Sequence, residues 1–474
     1  MTERAPRGQG PRTERERHGP GPVQRERWSA REAIAAVADA GTFAELPALK
    51  ETSPSRGASP PNGPLGWEGY DAMRVRAGER TGEDESVVCG TARVGATEAV
   101  LISFEFGYLG GSLGERTGDR LEAAHIRARE RGLPVVSLIA TGGSRMQEGM
   151  RALLQLQRVA RQSALTRAAG LPQLAVARDP TTGGGWATLG AGADVVLALP
   201  DAQIGFAGSR VRPADADPDA YTARAQLAAG HVDALVSEDE LRATVDRWLA
   251  LLTGGTREAA PPPAGLGPAQ PPATGWDAVL RTRSPRRPRA SAYLDTYFSH
   301  REPIVGDRCG GTDPGMLCGF GQREGRTVAY AAQCGTPTLP AGYRTAARLI
   351  RLADRLGIPV LTLVDTPGAA NDAEAERGGA GSSIADLFAA VATARVPVTT
   401  LLIGEGGSGG ALALSAPDNT WATPDSYFSV IAPELATAIL KRPPDRTRAT
   451  ADQLMLRPQD LVELGVVRGM VPVV

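Results

Sequence analysis

Apolar residues in this chain gather in short unbroken runs instead of alternating with polar ones. Gly132-Leu-Pro-Val-Val-Ser-Leu-Ile-Ala-Thr-Gly-Gly143 and Gly357-Ile-Pro-Val-Leu-Thr-Leu-Val-Asp-Thr-Pro-Gly368 are two such runs, each led by a proline and closed by glycine. Val, Leu and Ile in succession predict buried strands of about five residues. The two runs stand 225 positions apart, and the same offset sets Gly170-Leu-Pro172 against Arg395-Val-Pro397 and Gly184-Gly185 against Gly409-Gly410. After one residue drops out, Asp194 falls on Asp418, and Ala198, Pro200 and Asp201 fall on Ala422, Pro424 and Asp425. Amphipathic stretches between the paired strands predict helices over Gln147–Arg167 and Ser382–Ala394. Strands alternating with helices imply right-handed crossovers and a mainly parallel sheet in each half, an α/β chain with two similar domains.

Composition places the boundaries. Met1 to Arg27 is Arg-, Glu-, Gly- and Pro-rich with little to bury and reads as a disordered leader; Glu51–Pro64 reads as a surface loop. Thr253–Thr274 is rich in proline and glycine and reads as an extended linker. The expected domains are therefore 28–252 and 275–474. A formal net charge of -1 on 474 residues gives no global field for nucleic acid or membrane. No run of 18 apolar residues occurs, and the four cysteines form no C-x-x-C pair, so a cytoplasmic protein without a structural metal is expected.

Ligands of α/β sheets bind beyond the carboxyl ends of the strands. Thr141-Gly-Gly-Ser144, Thr182-Gly-Gly-Gly185, Thr366-Pro-Gly-Ala369 and Gly406-Gly-Ser-Gly-Gly410 occupy those places. Glycine there lets a substrate oxygen approach main-chain N–H groups, and a helix starting at that point adds its positive end; paired loops of this kind make an oxyanion hole. Gly406–Gly410 also matches the G-x-S-x-G nucleophile elbow. Every histidine (His18, His125, His231, His300) precedes Ser408, so the Ser-acid-His order is not met and Ser408 is not expected to be a nucleophile. No G-x-x-x-x-G-K-S/T loop is present for a nucleoside triphosphate.

The motifs now resemble a known family. Phe104–Gly114, Gly142-Gly-Ser-Arg-Met-Gln-Glu-Gly149, Asp179-Pro-Thr-Thr-Gly-Gly-Gly185 and Ile204-Gly-Phe-Ala-Gly208 resemble the β subunit of bacterial acetyl-CoA carboxylase carboxyltransferase. Gly342-Tyr-Arg344, Asp365-Thr-Pro-Gly-Ala369, Ala375-Glu-Arg-Gly378, Ile403–Ala413 and Tyr427–Glu434 resemble its α subunit. The resemblance implies two tandem crotonase-like (ClpP/crotonase) domains with β-β-α spiral repeats, acyl-CoA on the first and carboxybiotin on the second. It also implies a homodimer, a biotin carboxyl carrier protein and a separate biotin carboxylase as partners; the near-zero net charge and the lack of a long apolar run leave no membrane or nucleic-acid partner expected. Backbone amides of Gly142, Gly143 and Gly184 are then expected at the thioester enolate, and those of Gly368 and Gly409 at the biotin ureido oxygen. Gly183, Gly185, Gly407, Ser408 and Gly410 are expected to contact substrate. Arg145 is either a CoA-phosphate ligand or a structural salt bridge; Glu148 reads as a partner within its own helix, and Glu405 is weak evidence for acid-base work.

The chain departs from the family at several places. The four-cysteine zinc ribbon of bacterial β subunits is not found before Trp28. The Gln-Lys-Gly segment and basic loop of the α type are replaced by Gln333-Cys-Gly335 running quickly to Gly342, and Thr345 and Ala370 replace a lysine and an aromatic residue. These losses thin the basic surface that meets CoA phosphates or carrier. Competing readings are a biotin-independent malonyl-CoA decarboxylase or hydratase of the same fold, and a non-catalytic carboxylase subunit.

Overall fold

In the computed structural model the described residues are 27–47 and 60–474; the expected leader, apart from Arg27, and most of the expected loop at 51–64 lie outside them. Among the described residues the strands form two sheets. The first contains β1 (Ala44–Glu45), β2 (Val87–Val94), β3 (Thr97–Phe104), β4 (Val135–Thr141), β5 (Gln173–Thr182), β6 (Val195–Ala198), β7 (Ile204–Gly205) and β8 (Ala234–Leu235). The second contains β9 (His300–Ile304), β10 (Met316–Arg323), β11 (Arg326–Gln333), β12 (Val360–Thr366), β13 (Val398–Gly407), β14 (Thr420–Ala422) and β15 (Tyr427–Ser429). An antiparallel hairpin, β2–β3 or β10–β11, leads each sheet into parallel strands. This is the two-domain α/β architecture expected from the repeated runs.

The repeat extends further than the apolar runs revealed. β4 and β5 reproduce β12 and β13 at an offset of 225 with identical ends, and even the register slip before Thr141↔Thr181 recurs before Thr366↔Gly406. The helices α1 (Glu115–Arg131) and α2 (Pro340–Leu356) coincide at the same offset, whereas the hairpins coincide at 229. The second half is therefore four residues shorter between hairpin and helix, where the sequence runs quickly from Gln333 to Gly342. The expected helix at 147–167 spans Met150–Ala168. Its counterpart at 382–394 spans Ala380–Thr393, and one turn, Ala373–Arg377, is split off before it by Gly378 and Gly379.

Burial joins the halves. One continuous apolar cluster runs from Leu101, Leu138 and Val176 through Trp248, Leu249 and Leu252 to Phe320, Ile350 and Leu402. Trp248, on the helix Leu241–Thr253, meets Phe320 edge to face at 6.3 Å. Beside this core Asp233, 2 % exposed, pairs with Arg308 and lies 3.2 Å from Arg348 of the second half. Burial alone would raise its pKa, but the two guanidiniums outweigh that and hold it below the ordinary aspartate value. Asp194 and Arg355 make a second bridge at 2.6 Å. The Pro/Gly segment is strapped onto the second half: Ala260 is buried, its carbonyl accepts from Thr399 Oγ1 at 2.7 Å, and Gly265 bridges to the C-terminal residues, donating to the Pro472 carbonyl and accepting from the Val474 amide.

Candidate active site: two glycine turns in register

The glycine turns follow β4 and β5 in the first sheet and β12 and β13 in the second. Their backbones share the same two positive-φ positions. Gly143 has φ +111° and Gly368 φ +138°; Gly183 has φ +63° and Ser408 φ +61°. That left-handed conformation costs a side chain about 1–2 kcal/mol, so Ser408 adopts it because the turn demands it. Ser408 is exposed, and its place in the turn is set by the repeat and not by an elbow. The Gly143 N–H lies 3.1 Å from Thr141 Oγ1, and the Gly368 N–H lies 3.1 Å from Thr366 Oγ1. In each sheet a threonine hydroxyl two residues upstream thus holds the amide in place. Gly184 and Gly409 lie in the first turns of the short helices Gly183–Gly185 and Ser408–Leu412, where N–H groups have no intrahelical acceptor.

Not every expected amide is available. The Gly142 N–H donates to the Gly110 carbonyl at 2.9 Å, and the equivalent position in the second half is Pro367, which has no N–H. The Gly143 and Gly368 amides also donate, but to threonine hydroxyls; Gly142 differs in donating to a main-chain carbonyl and in having no counterpart amide, so it reads as a turn residue. Gly183 donates to the Phe206 carbonyl at 3.1 Å. Gly185, Gly407 and Gly410 are glycines because of packing: added Cβ atoms would lie 2.4 Å from Thr141 Cγ2, 2.0 Å from the Pro367 carbonyl and 2.5 Å from the Ala369 nitrogen.

Arg145 takes the salt-bridge alternative. It is 1 % exposed, pairs with Glu85, and reaches Glu148 at 3.1 Å; its Nε reaches Ser112 Oγ at 3.2 Å. All three guanidinium nitrogens are engaged, which rules it out as a phosphate ligand. Burial raises the Glu85 pKa, but Arg145 together with the Ser86 amide and Arg116 holds the carboxyl below its ordinary value. Glu148 accepts from Tyr70 at 2.5 Å and from the Glu115 amide at 2.6 Å, beyond the helix it was assigned to. This network fixes the segment that leaves the Gly142–Gly143 turn.

The second turn is held differently. Asp365 is buried, binds Arg287 at 2.5 Å and Arg289 at 3.1 Å, and accepts the Glu405 amide at 3.2 Å. Tyr343, within the Gly-Tyr-Arg motif, donates its hydroxyl to the Gly410 carbonyl at 3.1 Å. Glu405 accepts from Tyr427, a structural use of that carboxylate. Sequence reasoning missed Tyr343, Arg287 and Glu85 as supports; of these only Tyr343 lay in a motif. Among the described residues no cluster of three or more His, Cys, Asp or Glu side chains is arranged to hold a metal, and no helix is long and apolar enough to cross a membrane.

Two crotonase-like domains, each carrying this turn, define a carboxyltransferase-type chain. Residues 68–284 match the carboxyl transferase domain, and 272–473 match the acetyl co-enzyme A carboxylase carboxyltransferase-like family. The chain is 38% identical over 422 residues to the acetyl-coenzyme A carboxylase carboxyl transferase subunits beta/alpha of Saccharopolyspora erythraea, covering 85% of this chain and 74% of that one. It is 37% identical to the protein of the same description from Salinispora arenicola, covering 93% and 81%. Among solved structures, transcarboxylase 12S superposes with a TM-score of 0.77 at 22% identity over 94% of this chain and 87% of that one. A single-chain, multi-domain long-chain acyl-CoA carboxylase gives a TM-score of 0.72 at 22% identity, covering 94% and 44%. The chain belongs to the acetyl-CoA carboxylase carboxyltransferase family, with the β-type and α-type parts in one polypeptide.

Proposed function

We propose that this chain transfers a carboxyl group from carboxybiotin, carried on a biotin carboxyl carrier protein, to the α-carbon of a short acyl-CoA, acetyl-CoA foremost. The observation that carries the reading is the duplicated glycine turn, with positive φ at the same two positions and the same threonine support on both sheets. Two oxyanions need stabilising in such a transfer, and two preorganised sets of amides supply it. The amides of Gly143 and Gly184 hold the thioester enolate and those of Gly368 and Gly409 the ureido oxygen, with Gly143 and Gly368 turning from their threonine hydroxyls to the bound oxygen. Space supports the second assignment, because a Cβ on Gly409 would meet nothing within 4 Å, leaving room for a ring system. Carboxybiotin supplies both the carboxyl group and, once that has left, the base for the α-proton. The protein therefore needs no catalytic histidine or cysteine of its own.

The domains at 28–252 and 275–474 act as acyl-CoA and biotin sides, and a biotin carboxylase supplies the charged carrier. A homodimer brings the first turn of one copy to the second turn of another. Exposed apolar side chains support this: Met146, Met150 and Leu154 follow the first turn, and Val430, Leu435 and Ile439 follow the second. The test is the reverse reaction, in which purified protein, malonyl-CoA and free biotin are mixed and loss of malonyl-CoA is followed with a no-biotin control. Biotin-dependent loss is expected. Loss without biotin would establish a decarboxylase instead.

A further inference from the structure

Between β4 and β5, and between β12 and β13, the chain has the same length, so Leu156 and Gly381 occupy equivalent positions on the two intervening helices. In the first half, a Cβ added to Gly184 would lie 2.2 Å from Leu156 Cδ2, 2.7 Å from Cδ1 and 3.0 Å from Cγ. The isobutyl group therefore rests on the α-carbon of Gly184, in the first turn of the short helix. In the second half the same space is open from both sides: added Cβ atoms on Gly409 and on Gly381 would each meet nothing within 4 Å. Leu156 is half-buried at the rim of the first domain's core, and Leu153 and Leu154 beside it are exposed.

We infer that Leu156 is the specificity-determining residue of the acyl side, closing the space beside Gly184 so that only a short acyl group fits. The inference rests on the proposed function and deepens it. A thioester oxygen at the Gly184 amide brings its acyl substituent within a few ångströms of that α-carbon, and the side chain over it is a hydrocarbon. It offers the acyl group no polar contact. Selection is therefore by length, with each methylene of an acyl chain counting for about 10–200-fold in a pocket of this kind. Gly381 leaves the opposite turn open for a larger ring.

The experiment compares wild type, Leu156→Val and Leu156→Ala in the reverse reaction with malonyl-, methylmalonyl- and ethylmalonyl-CoA plus free biotin. The ratio of kcat/KM for ethylmalonyl-CoA over malonyl-CoA is expected to rise about tenfold for Leu156→Val and more for Leu156→Ala. A residue needed only for packing would depress all three substrates together and leave that ratio flat, which overturns the inference. Should Leu156→Ala fail to fold, the Val variant decides. Absence of biotin-dependent transfer in wild type with all three substrates overturns the functional reading and the role of Leu156 together. Transfer with an unchanged ratio in the variants overturns the role of Leu156 alone.

Discussion

The helix pair of the first half, Glu115–Arg131 against Met150–Ala168, is bridged by buried polar side chains, whereas its counterpart, Pro340–Leu356 against Ala380–Thr393, meets through buried hydrocarbon with an Arg351–Asp386 pair at its exposed edge. In the first, His125 Nδ1 lies 3.1 Å from Thr166 Oγ1, Arg129 reaches the Gln162 carbonyl at 3.2 Å, and Arg158 binds Glu122. At the offset of 225 those partners become Ile350 for His125, Leu387 for Gln162 and Val391 for Thr166, all buried. The first helices of the two pairs coincide to the residue and the second ones differ by the break at Gly378–Gly379, while the adhesive differs throughout. What the two halves share is the strand-turn-helix frame that presents amides; how the helices are glued over it is free to vary. The glycine turns follow the same division, one supported by Arg145 and Glu85, the other by Asp365 and Arg287.

The largest effect is expected where the halves depend on each other. Asp233→Asn leaves Arg308 and Arg348 without their carboxylate, and breaking a buried ion pair costs about 3–5 kcal/mol; urea denaturation of the variant against wild type measures it. Because the folded Asp233 pKa is depressed, its stabilisation is complete above the ordinary aspartate range and is lost as pH falls through the lower folded value. The acid limb of the stability profile should be shallower in Asp233→Asn.

His125 gives the next effect and separates the halves. Burial, with Arg129 adding to it, lowers its pKa to about 4. The folded imidazole stays neutral while the unfolded one takes up a proton, so stability is intact above about pH 6.5 and declines until about pH 4, by about 3 kcal/mol. Writing the second half's residues into the first, His125→Ile with Thr166→Val, should flatten that decline. A decline unchanged in the double variant would show that acid sensitivity lies elsewhere.

A smaller difference is expected between the two equivalent glycines. Gly184→Ala drives a methyl group into Leu156 and should cost about 1–3 kcal/mol as overpacking, whereas Gly409→Ala points into open space and should stay within about 0.5 kcal/mol. Thermal melts of the two variants read this directly. Equal losses would mean that the second turn is as tightly covered as the first.

The parts of this arrangement legible in the sequence are those written in runs and glycines. Buried parallel strands need unbroken Val, Leu and Ile, and the turns need small residues, so β4, β5, β12 and β13 and their turns stand out. The hairpins and α1 against α2 repeat just as faithfully in space but not in letters, because a polar and an apolar interface satisfy the same helix position. Arg145 is beyond reach of local reasoning, since its partner Glu85 is sixty residues away. Gly142 looks like its neighbour Gly143 in sequence, and only the folded chain shows that one amide is held by the Gly110 carbonyl and the other by the Thr141 hydroxyl. Leu156 carries no motif at all; its contact with Gly184 exists only once the helix has been laid across the turn.

The central claim is the division of labour between the turns, acyl thioester at the first and biotin at the second. Gly409→Val tests it most directly, because its side chain enters open space beside the second turn. Malonyl-CoA affinity by calorimetry and biotin-dependent loss of malonyl-CoA are measured on the same protein. Affinity within about twofold of wild type is expected, with turnover reduced at least about a hundredfold because the side chain keeps the oxyanion from its donor. Undiminished turnover would contradict it, and so would loss of malonyl-CoA affinity, which would put the thioester at the second turn.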